Sequence, residues 1–194
     1  MKNSPSTAAS APAMAITDIA KPTTVRWRIF LILLLLAAIN YIDRASLSVA
    51  LPLISAEFEL TPALEGLILS AFFWSYALMQ IPAGVMLDRF QVRNIIGVAT
   101  IGWGAFQALG GFAHNWITLL ITRIGLGVAE SPIMPAGAKL NGAWLTPNER
   151  GRGATLVDGG APLGTAFGAI IIAGLITWFD SWRIAFIVAG VGTV

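Results

Sequence analysis

Residues 29–36 read Ile-Phe-Leu-Ile-Leu-Leu-Leu-Leu, and the apolar character continues to about residue 51. A helix this uniformly apolar has no face to offer water, so it belongs in hydrocarbon, where about 20 residues cross a core of about 30 Å. The same signal recurs at 63–87, 95–112, 117–140 and 154–178, with short connections between, and again at 184–194. At about 1.5 Å per residue the last run covers roughly half the core. The expectation is an all-α membrane protein with five spans and a sixth (27–51, 63–87, 95–112, 117–140, 154–178 and 184–194), the sixth cut short. A composition 56% hydrophobic and only 11% charged excludes an ordinary soluble domain.

Residues 1–24 are rich in Ala, Ser, Thr and Pro, which predicts a disordered tail ahead of a bundle over 25–194. Arg26 and Arg28 before the first run imitate a signal peptide. A long polar tail precedes them, however, and apolar sequence continues beyond Asp43 and Arg44, which argues against cleavage. Lys2, Lys21, Arg26, Arg28, Arg89, Arg93, Arg150 and Arg152 fall on the tail and the even-numbered connections, whereas the other side offers Arg183. The positive-inside rule then makes the N-terminus cytoplasmic in a multi-pass protein of the cell membrane. Trp27, Trp116, Trp178 and Trp182 mark span ends as interfacial aromatics do. With charge sorted by loop rather than gathered in a patch, nucleic acid is not an expected partner.

The sequence has no Cys, one His and no Gly-rich loop ending in Lys-Ser or Lys-Thr. It therefore offers no enzyme constellation and calls for no metal or organic cofactor. His114 reads as a solvated loop residue.

Charges within spans cost several kcal/mol unless paired or wetted, so each is a functional hypothesis. Asn40 and Arg44 share a face of the first span, with Asp43 about 100° round the helix, so both charges can line one cavity. Arg123 and Glu130 share a face of the fourth span about 10 Å apart and need partners elsewhere. The expected cross-helix pairs are Asp43 with Arg123 and Arg44 with Glu130. The plainer alternative is that these ion pairs only fix helix packing. Position argues against it, since helices one and four are counterparts in transporters built from inverted triplets. Asp158, a few residues into the fifth span, is either a gate residue or a helix-end acid. Tyr76 and Gln80, four apart, can hydrogen-bond a polar solute or a neighbouring helix. Gly160, Gly164 and Gly168 form a close-packing stripe, and Pro132, Pro135 and Pro162 can loosen their helices.

The stretch with Gly84, Asp88, Arg89, Gln91 and Arg93 resembles the loop signature of the major facilitator superfamily, departing from it at Gln91 and Asn94. The resemblance implies an N-terminal six-helix half of such a transporter, with Asp88, Arg89 and Arg93 as a conformational latch. More narrowly, residues 40–45 and 123–132 resemble the anion:cation symporters of that superfamily, among them transporters of galactonate, glucarate and hexuronates, and residues 144–150 resemble a loop of that group. By that likeness Arg44 and Tyr76 map to substrate-binding positions, joined here by Asn40 and Gln80. Asp43 and Glu130 map to protonated acids, with Arg123 beside them. Galactonate transporters have a substrate-contacting Gln in the fifth span where this chain has Ala161, which puts sugar-acid specificity in question. The expected function is symport of a small organic anion with protons, in partnership with the lipid bilayer and a C-terminal half. An organophosphate:phosphate type of anion exchanger and a non-transporting half-bundle are the alternatives.

Overall fold

The computed structural model describes residues 24–194. The predicted tail at 1–24 lies outside the described residues, apart from Thr24. Eight helices follow in order: α1 (Val25–Phe58), α2 (Pro62–Arg89), α3 (Val92–Gly110), α4 (Trp116–Glu130), α5 (Ile133–Trp144), α6 (Arg150–Asp158), α7 (Gly160–Phe179) and α8 (Trp182–Thr193).

Among the described residues, four stretches are long and apolar enough to cross a membrane: Val25–Phe58, Pro62–Arg89, Trp116–Trp144 and Arg150–Phe179. The helices matching the third and sixth expected spans are not among them. α3 carries Arg93, Asn94 and Gln107, and α8 is an apolar helix of 12 residues. Large apolar side chains cover the outside, including Trp74, Leu78, Ile81, Val98, Ile170 and Trp178. That much exposed hydrocarbon suits lipid and not water.

α1 runs on to Phe58, past the expected boundary at residue 51 and through Pro52. Its far end is anchored by polar contacts: Glu57 accepts from Trp182 Nε1 at 2.8 Å and Arg183 at 2.7 Å, and Ser55 donates to Glu65. Glu59 then adopts a left-handed conformation, with φ of 50°, and closes the helix. Asp180 repeats the device after α7. Side-chain caps from Thr61, Asn115 and Ser181 start α2, α4 and α8.

The fourth and fifth expected spans are each broken in two. Pro132 lacks the N–H that would bond back to Val128, and Ser131 makes only a tight 3.4 Å turn bond to that carbonyl, so α4 ends there and α5 starts afresh. Pro162 likewise cannot donate to Asp158, and the rod is interrupted at Gly159 between α6 and α7.

Three seams hold the bundle, and glycine sets each. On α7, a side chain at Gly160 would collide with Ala37, one at Gly164 with Ala38 and Tyr41, and one at Gly168 with Ile42 and Ala45. α7 and α1 therefore lie backbone to backbone, as the sequence stripe suggested. Gly127 of α4 approaches Phe72 and Ser75 of α2 in the same way, and Gly104 of α3 and Gly111, which caps it, approach Gly190 and Arg183 of α8.

Candidate functional site

The α1–α7 seam determines where the polar residues of α1 face. With Ala38, Tyr41, Ile42 and Ala45 against α7, the helical step of 100° turns Asp43 toward α3 and α8 and Arg44 toward α2 and α4. The two charges therefore do not share a cavity, contrary to the expectation. Arg44 lines a cavity of about 350 Å³ together with Tyr41, Ser48, Phe72, Arg123 and Thr165. Asp43 is absent from its wall and is 1% exposed.

Arg44 sits in an aromatic cage. Its guanidinium carbon lies 4.7 Å from the centre of the Tyr41 ring and 4.8 Å from those of Phe72 and Tyr76, and the latter two rings stack on each other. Such contacts hold a cation while leaving its in-plane N–H groups free for an anion. Glu130, wholly buried, meets Arg44 Nη2 at 3.5 Å. This is the expected Arg44–Glu130 pair, with a separation long for a charge-assisted bond. Arg44 Nε and Glu130 Oε1 have no partner.

The expected Asp43–Arg123 pair is not formed. Asp43 Oδ2 instead accepts from Trp103 Nε1 at 2.6 Å and from Thr193 Oγ1 at 3.3 Å. Gln107 donates to Ser46 Oγ at 2.8 Å, and Ser46 donates to the Asp43 carbonyl at 2.6 Å. Arg123, 2% exposed, lays its guanidinium 4.8 Å from the Phe186 ring, and its Nε lacks a partner. Buried polar atoms are normally satisfied, so the unpaired atoms on Asn40, Asp43, Arg44, Arg123 and Glu130 are exceptions that single this group out as a candidate site.

Of the other expected residues, Asn40 is buried without lining the cavity, and Tyr76 reaches the site through Arg44. Gln80 is half-buried and lies off the cavity wall. The expected latch residue Asp88 pairs with Lys139 at 3.0 Å, and Lys139 also donates to the Leu87 carbonyl. Arg89 and Arg93 are exposed and make no ion pair among the described residues. Asp158 is exposed, closing α6 beside a cavity of about 290 Å³ shared with Met134 and Asn141. At the same end of the bundle, Arg26 and Glu149 form a bidentate bridge with both separations 2.7 Å.

Sequence reasoning missed Trp103, Thr193, Gln107 and Lys139. A usable signal existed on α3: Trp103 and Gln107 stand four residues apart in an apolar run, and a buried indole N–H needs an acceptor.

The family model of the Major Facilitator Superfamily matches residues 33–194. The uncharacterized transporter YybO of Bacillus subtilis is 36% identical over 177 residues, covering 91% of this chain and 40% of its own length. A probable L-galactonate transporter of Escherichia coli is 37% identical over 161 residues, with 83% and 35% covered. The crystal structure of a bacterial homolog of the human lysosomal transporter Spinster, inward-facing and occupied, superposes with a TM-score of 0.81 at 24% identity, covering 88% of this chain and 42% of that one. The chain thus spans about two-fifths of these relatives. Its long apolar helices and this family match make it a multi-pass membrane chain. It belongs to the Major Facilitator Superfamily.

Proposed function

We propose that the chain is the N-terminal half of a symporter that carries a small organic anion together with protons across the cell membrane, with the N-terminus in the cytoplasm. The observation that carries this reading is Arg44: a guanidinium at a cavity wall, caged by Tyr41, Phe72 and Tyr76 and only loosely held by Glu130. A substrate carboxylate meets Arg44 in the plane of the guanidinium. Protonation of Glu130 removes the charge that competes for Arg44, so proton and anion enter together, and Asp43 supplies a second proton site. Relatives named as galactonate, galactarate/D-glucarate and hexuronate transporters support the anion class.

A C-terminal half fits this reading. A groove of about 550 Å³ is lined by Ile29, Leu33 and Leu36 of α1, Val92, Ile96 and Gly97 of α3, and Leu140 and Trp144 of α5. Gly97, seven residues from Gly104, has open space before it, and a further helix would seat there as α8 does at Gly104.

In proteoliposomes of the full-length transporter, uptake of galactonate, glucarate and glucuronate is expected to alkalinise the medium. Arg44→Ala should abolish uptake, and Glu130→Gln should abolish accumulation by a pH gradient. Proton-driven accumulation that survives both Asp43→Asn and Glu130→Gln refutes the coupling scheme. The exchanger reading draws on one observation, that the two arginines line the cavity while Asp43 does not. It requires anion uptake with no change in the pH of the medium.

A further inference from the structure

We propose that Trp103 is the positioning residue for Asp43: its indole N–H holds the carboxylate away from the anion cavity and from Arg123, and so sets the pH at which Asp43 takes its proton. This inference rests on the reading of Asp43 as a proton-coupling acid.

The geometry is specific. An indole nitrogen can only donate, and at 2.6 Å from Oδ2 it makes the shorter of the two side-chain hydrogen bonds to the carboxylate. Thr193 reaches the same oxygen at 3.3 Å, but its one hydroxyl hydrogen is also directed at the Ala189 carbonyl, 3.0 Å away. Trp103 is therefore the principal donor. Its ring is fully buried and packed with Phe72, Leu126 and Ile133, which fixes the direction of the N–H. Oδ1 has no partner and is the open position for a proton.

The charged groups facing Asp43 are Arg123 and Glu130 on α4, while Arg44, the next residue of its own helix, turns away to Phe72, Tyr76 and Glu130. α3 and α8 present neutral Trp103, Gln107 and Thr193 there, and α7 packs on another face of α1, against Ala38, Tyr41, Ile42 and Ala45. A donor that serves the charged carboxylate favours it over the protonated form. Trp103 thus opposes proton loading, and a helix movement that withdrew α3 from α1 would release it.

The test needs no knowledge of the substrate. In the purified protein in nanodiscs, the infrared band of the protonated Asp43 carboxyl is identified as the band lost in Asp43→Asn, and is followed against pH. In Trp103→Phe, which keeps an aromatic ring and removes the donor, the midpoint should rise by about one pH unit, a tenfold gain in proton affinity. Thr193→Val, close in shape, should shift it the same way by less, and serves if Trp103→Phe does not fold. A midpoint unchanged in either folded variant overturns the positioning role. If Asp43→Asn removes no titrating band at all, the proton-coupling role of Asp43 itself falls.

Discussion

Two glycines of α7 should respond oppositely to the same substitution. At Gly164, an added methyl would lie 2.6 Å from Tyr41 Cβ and 3.0 Å from the Ala38 carbonyl carbon, and closer still to the Ala38 oxygen. All three neighbours are backbone or Cβ atoms, which cannot swing aside, so α1 and α7 must separate. Overpacking of this kind costs about 1 to 3 kcal/mol, partly offset by the roughly 1 kcal/mol that alanine gains over glycine in a helix. At Gly174, on the same helix, the methyl meets nothing within 4 Å, and only the gain remains. Unfolding of the purified protein in mixed micelles, followed by circular dichroism against denaturant, should therefore rank Gly174→Ala at or above the parent. Gly164→Ala should fall below it, the two variants differing by about 1 to 3 kcal/mol. Equal stabilities would refute the claim that the α1–α7 seam is set by backbone contact.

The hydroxyl of Thr146, then its backbone N–H and Arg26, hold the Glu149 carboxyl below its ordinary range. A depressed value contributes stability at neutral pH that is lost as pH falls through it, so the stability gap between the parent and Glu149→Gln should close in acid; a gap constant with pH contradicts this. Lys139 and Asp88 are 39% and 78% exposed, and a double-mutant cycle with Lys139→Met and Asp88→Asn should return no more than about 1 kcal/mol; a larger coupling would mean the pair is shielded by something not described above. Amide exchange should be faster at Ser131 and Leu163, whose bonds are 3.4 and 3.5 Å long, than at mid-helix positions of α4 and α7; equal protection would deny the breaks.

Much of this architecture was legible because it is periodic. The Gly160, Gly164 and Gly168 spacing predicted a close seam, and the long apolar runs predicted membrane helices. The Arg44–Glu130 approach was legible because two isolated opposite charges in apolar helices have few other places to go. The partner of Asp43 was not. Sequence gives the angle between Asp43 and Arg44 but not the absolute rotation of α1, which is decided by three glycines more than a hundred residues away. A 100° step then sends neighbouring charges to different helices, one to Trp103 and one to the tyrosines. The latch partner was missed for a similar reason: nothing in the local sequence shows that α5 brings Lys139 beside the end of α2.

The proline breaks after Glu130 and at Gly159 divide the bundle mechanically. The α5–α6 hairpin hangs from two soft joints, while its tip is clamped to α1 by Arg26 and Glu149. A beam pinned at its tip and jointed at its root bends where it is jointed. Any load applied at the clamped end is therefore delivered inside the membrane, next to Glu130, and the rigid glycine seams elsewhere leave it no softer place to go.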